Sequence, residues 1–157
     1  MNFIPHFLLS LAIFSLLTSC GPSYVYEEKH EFEEQTWAWK DTIDYTFEVP
    51  DTSTIYDLHL IVDHKDYFPS QNTYVKLKLA FPDGARTDEQ LSLQLADKLG
   101  TWLGSCRGED CTLDIPIQQG AFFNQAGMYT LTVEQYSRTE DLEGISAMTF
   151  ALEEISK

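Results

Sequence analysis

The sequence predicts an all-β domain: a two-sheet antiparallel sandwich, jelly-roll-like, of roughly seven to eight strands. Three observations lead there. From Ile43 onward, apolar and polar residues alternate in short runs, the period of a strand with one buried face. Between the runs stand chain-turning residues such as Pro50-Asp51 and Pro82-Asp83-Gly84, which fit tight reversals between strands. No strand–helix unit recurs to support a parallel α/β sheet, although a small barrel meets the same pattern.

The chain opens on "FLLSLAIFSLL", Phe7 to Leu17, which is apolar except for Ser10 and Ser15. A bilayer span takes about 20 such residues, so this run is too short to cross alone and has the length of a signal-peptide h-region. No Lys or Arg precedes Phe7, leaving the terminal amine as the positive charge of the n-region. The run ends in Leu17-Thr18-Ser19-Cys20, which resembles the lipobox of bacterial lipoproteins; an ordinary signal peptide followed by an incidental cysteine is the alternative. The resemblance implies residues 1–19 as the signal peptide, cleavage before Cys20 and acylation of that cysteine. Each buried CH₂ contributes about 0.8 kcal/mol, so several acyl chains anchor firmly where one is marginal.

Residues 20–35 read as an acylated tether, because Glu27, Glu28, Glu31, Glu33 and Glu34 favour a solvated segment. Residues 36–157 then make a single β-sandwich domain. Its first strand places Ile43, Tyr45, Phe47 and Val49 on one face, and its second, Ile55 to His64, does the same with Tyr56, Leu58, Leu60 and Val62. After the loop "HKDYFPSQN", a third strand carries Val75, Leu77, Leu79 and Phe81, and a fourth carries Leu91, Leu93 and Leu95. "ADKLGTWLGSCRGEDC" is a glycine-punctuated connection with at most one helical turn. Leu113, Ile115 and Ile117 mark a fifth strand, in which Pro116 predicts an edge position or an interruption. Tyr129, Leu131 and Val133 mark a sixth, and a terminal strand falls within Ile145 to Glu153.

The 25 acidic and 10 basic residues give a formal net charge of −15, which opposes nucleic-acid binding and attraction to anionic lipid heads. No G-x-S-x-G elbow, phosphate-cradling loop or dinucleotide fingerprint occurs. His30, His59 and His64 lack zincin spacing. His64 and Asp66 border a strand end, where a hydrogen-bonded surface pair is the plain reading, so neither a metal nor a catalytic set is expected. Cys106 and Cys111 in "SCRGEDC" can close a small structural disulfide in an oxidising compartment, with free or weakly metal-associated thiols as the alternative.

Candidate interaction residues are aromatic. Trp37 and Trp39 face the same side if their segment is extended, which suits core or rim packing, a protein contact or a glycan platform. Tyr67 and Phe68 before the Pro69 turn, with Trp102 beside the Cys106–Cys111 loop, form a second patch if they meet in space. Arg138 is a candidate contact, its plainer role being an ion pair with an acid of the same chain.

Taken in order, the lipobox, "YFPSQNTY", the "PDG" turn, "TWLG" and "GMYTLTVEQYSRTEDLEGI" resemble the GldH-type gliding-motility lipoproteins of the Bacteroidetes. The matching positions of the last segment are Gly127, Tyr129, Glu134, Gln135, Arg138, Leu142, Gly144 and Ile145, with Ser137 standing where the family pattern usually has Met. The resemblance implies a non-enzymatic cell-envelope lipoprotein that supports gliding motility and associated protein secretion through protein–protein contacts. Its implied partners are envelope motility or secretion proteins, with no cofactor beyond the covalent lipid on Cys20. Gly21 stands where an inner-membrane retention signal would place Asp, which favours the outer membrane and a periplasm-facing domain. A surface glycan-binding lipoprotein is the alternative, and a hydrolase is a weaker third class.

Overall fold

The computed structural model describes residues 22–156; the leader and Cys20 lie outside them. Eleven strands are present among the described residues: β1 (Tyr24–Glu31), β2 (Thr36–Ala38), β3 (Ile43–Val49), β4 (Ile55–Lys65), β5 (Asn72–Ala80), β6 (Arg86–Gln94), β7 (Ser105–Arg107), β8 (Asp110–Phe122), β9 (Gly127–Gln135), β10 (Asp141–Glu143) and β11 (Ile145–Ser156). They form a five-stranded sheet in the order β1-β11-β4-β8-β7, a four-stranded sheet in the order β3-β9-β5-β6, and a two-stranded pair of β10 with β2. The all-β expectation holds, and the strand pairing is antiparallel. The β10–β2 pair is a third sheet beyond the expected plan. Its strands, like β7, have only three residues, too few to display an alternating pattern.

The alternation in β3 does what its period dictates. Ile43, Tyr45, Phe47 and Val49 are buried, while the residues between them are exposed. Phe47 is the hub: its ring centroid lies 5.8 Å from Tyr129, 5.8 Å from Phe123 and 5.4 Å from Phe150. Phe150 belongs to the five-stranded sheet, so these rings join the two larger sheets. Tyr45 adds directionality by donating from its hydroxyl to the carbonyl oxygen of Met148 at 2.7 Å, which satisfies a phenol that burial would otherwise penalise. Each fully buried side chain of this size contributes about 1.5–3 kcal/mol through removal of apolar surface from water.

The expected tether is corrected here. From Tyr24 the chain is an edge strand of the five-stranded sheet, pairing antiparallel with β11. Burial of a few side chains outweighs the local acidity: Tyr26 packs 5.7 Å from Phe47 and 5.9 Å from Phe150. Lys29 pairs with Asp63 at 2.8 Å, and the Tyr24 hydroxyl donates to Asp114 at 2.7 Å. The glutamates of β1 are exposed along it, so solvating them costs the strand nothing.

Pro116 lies in β8, whose outer side carries β7 only opposite Asp110 to Thr112. Beyond Thr112 that side is a free edge, where a missing N–H removes no ladder bond. The register against β4 slips beside it, between Leu58 and His59. The expected proline edge is therefore present. His64 departs from the surface pair expected of it: the side chain is buried, with Nδ1 2.9 Å from its neighbour's carbonyl oxygen on Lys65.

Candidate functional site

A concavity of about 770 Å³ lies beside the end of β9. Trp39, Asn72, Tyr74, Tyr136, Arg138 and Leu142 contribute to its walls. A buried glutamine builds it. Gln135, the last residue of β9, donates from Nε2 to the carbonyl oxygens of Trp37 at 2.9 Å and Glu140 at 3.1 Å. That pair of bonds holds the 136–140 loop against β2, and just past the strand the Trp39 amide donating to Glu140 at 2.9 Å closes the junction. On the other wall the Tyr136 amide donates to Tyr74 at 2.8 Å, which extends the β5–β9 ladder past its last strand residue. Lys76 then sits 4.3 Å above the Tyr136 ring, a cation–π contact typical of exposed aromatic faces.

The groove thus presents three exposed aromatic side chains, Trp39, Tyr74 and Tyr136, around exposed Arg138. Lys29, Lys65 and Lys78 each hold an acid of the chain. Arg138 differs from its expected internal role: among the described residues no carboxylate pairs with it. A planar guanidinium beside aromatic faces suits recognition of a polypeptide surface, because it can stack and donate at once.

The tryptophan pair does not form a platform. Trp37 is fully buried, stacked 5.1 Å from Phe32 at 18° and donating from Nε1 to Asp41 at 2.7 Å. Trp39 lies just past the end of β2 and is 48% exposed. Only the second is available to a ligand, which removes the geometric basis of the glycan reading.

The other patch does assemble in space, yet most of it faces inward. Trp102 lies 4.6 Å from the His64 ring and donates from Nε1 to Asp66 at 3.0 Å. Phe68 is buried near the same histidine, whereas Tyr67 is exposed. The Cys106–Cys111 disulfide is present across the β7–β8 hairpin, with its Cα atoms 4.0 Å apart, and the Asp66 amide donates to Glu109 within that hairpin at 2.8 Å. This corner is a brace for the 66–71 loop. Gly104 permits it, since its φ of +81° and the closeness of the Thr112 carbonyl leave no room for a Cβ.

Among the described residues, no group of three or more His, Cys, Asp or Glu side chains is placed to hold a metal ion. His59 sits between two acids, 2.7 Å from Asp114 and 3.6 Å from Glu153, with Tyr24 bonded to the same Asp114. The arrangement latches β1 onto the outer face of its sheet. Burial, and after it the hydrogen bond to Asp114, raises the Tyr24 phenol well above its ordinary range, so the hydroxyl stays a donor at every physiological pH.

The model of the GldH lipoprotein family matches residues 24–152. The chain belongs to the GldH lipoprotein family. A curated protein described as a gliding motility lipoprotein GldH homolog, from Christiangramia forsetii, is 23% identical over 154 residues, spanning 94% of this chain and 92% of that protein. Membership carries a non-enzymatic role in the gliding-motility envelope machinery. Likeness to solved structures is loose. An arabinose-bound α-L-arabinofuranosidase shares 11% identity at a TM-score of 0.36 over 74% of this chain and 18% of its own. A structure of infectious bursal disease virus reaches 0.21 at 10% identity, over 83% of this chain and 40% of its own. Neither bears on fold or activity.

Seen through the family, the late motif is mostly scaffold. Tyr129 is buried and donates to Gln125 at 2.9 Å, Glu134 pairs with Lys78, Gln135 pins the loop, and Gly144 backs onto Phe68 with φ of +96°. Arg138 is the residue of the motif left facing solvent without a carboxylate. Sequence reasoning missed Tyr74 and Tyr136 as its companions. Tyr74 sits at an outward position of a strand and Tyr136 just past one, and nothing in their spacing shows that the two adjoin.

Proposed function

We propose that this GldH-family chain is cleaved before Cys20, acylated there, and held on the periplasmic face of the outer membrane. Its two larger sheets would act as one sandwich-like domain, jelly-roll-like in plan, that meets an envelope motility or secretion protein through the Trp39–Tyr74–Tyr136–Arg138 groove. The observation that carries the contact is Arg138: a cation without an acid partner among the described residues of a chain with formal net charge −15, set among exposed aromatic faces. Arg and aromatic residues are the types that dominate binding energy at protein interfaces. The acyl anchor supports this by raising local concentration at the membrane, as any tether does.

The test is deletion of the gene, followed by complementation with the wild type, Cys20→Ala, and a Trp39→Ala/Arg138→Ala double variant. Colony spreading and secreted-protein levels are the readouts. Loss of both in the double variant, with membrane level and folding unchanged, is the expected result. Full function of the double variant removes the groove, while full function of Cys20→Ala removes the anchor.

A further inference from the structure

The two larger sheets meet closely along one side and part along the other. On the closed side Tyr26 of β1 reaches Phe47 of β3. On the open side β6 bonds only to β5, and β8 beyond Thr112 bonds only to β4. On that side Leu77, Leu79 and Leu91 of the four-stranded sheet and Leu113, Ile115 and Ile117 of the five-stranded sheet are packed on the core yet only partly buried. At one end the seam deepens into an apolar hollow of about 340 Å³ between Leu79, Phe81, Ala121 and Phe123. An added strand would cover this surface.

The two free edges differ as templates. β8 contains Pro116 and slips register against β4, both of which blunt an edge. β6 pairs with β5 through nine successive residues without a slip, Arg86 to Gln94, and has neither Pro nor Gly in "RTDEQLSLQ". It therefore offers a regular row of backbone donors and acceptors. Its charge selects the occupant. Glu89 lies opposite Leu77 in the ladder, so it shares the seam-facing side, and it is exposed with no ion pair among the described residues. A second copy of β6 paired antiparallel about Gln90 would set Glu89 against Leu91 and Asp88 against Ser92, which leaves Glu89 without a cation, whereas a segment carrying Lys or Arg there supplies one.

We propose that β6 accepts an extended segment of a partner protein as an added strand. Alternate apolar side chains of that segment enter the β6–β8 seam, and a Lys or Arg among them meets Glu89. Gln90 of β6 lines the neighbouring Trp39–Arg138 groove, but Glu89 points to the opposite face of the strand and the proposal does not depend on acylation, so Glu89 variants and Trp39/Arg138 variants let either reading fail without the other.

The probe is a labelled nine-residue peptide alternating valine with threonine, with one central lysine, titrated into the mature protein in detergent. Saturable binding is expected, with slowed hydrogen exchange confined to β6. Glu89→Lys should weaken it by about tenfold, as reversal of a close interfacial charge does, and a peptide with glutamate for the lysine should bind that variant better than the wild type. Asp88→Lys, on the opposite face, should change affinity by less than about threefold. Absence of saturable binding, protection elsewhere than β6, or no recovery on swapping the charges overturns the proposal. Self-association lost on Glu89→Lys would also overturn it, by making a second copy the occupant.

Discussion

Replacing Trp37 and Trp39 separately by alanine divides core from surface. Trp37 is fully buried and stacks on Phe32. A buried Trp-to-Ala change costs about 3–5 kcal/mol in transfer and cavity terms. It also leaves the Asp41 carbonyl without its donor, a loss of about 1 kcal/mol where water cannot replace it. Trp37→Ala should therefore cost about 4–6 kcal/mol, close to the whole stability of a marginal domain. Trp39, half exposed at 48%, should fall within about 0.5 kcal/mol of the wild type. Urea unfolding followed by far-UV circular dichroism measures both, provided the slopes agree. A cost below about 1.5 kcal/mol for Trp37→Ala, or above about 2 kcal/mol for Trp39→Ala, would refute the assignment of the first to the core and the second to the groove.

Replacing Cys106 and Cys111 together by serine should lower stability by about 2 kcal/mol, the chain-entropy value for so short a loop; equal unfolding midpoints with and without reductant in the wild type would contradict it. Gly104→Ala should destabilise by more than about 2 kcal/mol, because a Cβ there meets the Thr112 carbonyl at positive φ, whereas Gly84→Ala, with open space around it, should cost less despite its own positive φ. Asp51 accepts from the Ser53 hydroxyl and amide and from the Thr54 hydroxyl and amide, which pull its pKa from 3.8 down to about 2. A depressed carboxyl stabilises the fold above its ordinary pKa and loses that effect as pH falls through the folded value. Asp51→Ala should thus unfold more readily at pH 7 and converge with the wild type near pH 2, and parallel pH curves would count against it.

How much of this was legible depended on length and neighbourhood. The six runs read from alternation all lie in strands, because each is long enough to show its period and has one face on the core, and the terminal strand expected within Ile145 to Glu153 lies in β11, whose residues 147–152 are buried throughout. β1 was misread as tether, since its burial pattern has only Tyr24 and Tyr26 partly covered and its stabilising partners, Asp63, Asp114 and Phe150, lie far away in sequence. The Trp37–Trp39 pair failed for a local reason: β2 ends at Ala38, so the two-residue period stops between them. The groove was half legible. Trp39 and Arg138 stood out as residue types, but Gln135, which brings their segments together, reads as an ordinary strand end.

The early start of β1 also restricts where the domain sits on a Cys20 anchor. Whatever conformation residues 20–23 take, four residue steps span at most about 14 Å, so the end of the fold carrying Tyr24 must lie near the bilayer. That end pairs Tyr24 with Glu153 and Ile55 with Phe122, and it gathers exposed Val25, Phe122, Met128 and Ile155. Apolar side chains at a lipid interface add to an acyl anchor in the same way as further CH₂ groups. A nitroxide on Phe122→Cys in the acylated protein on vesicles should therefore show greater oxygen accessibility than one on Leu103→Cys, at the far end beside the disulfide hairpin. Equal values at the two positions would mean that the domain tumbles free of the surface, and the short connection would then constrain reach without fixing orientation.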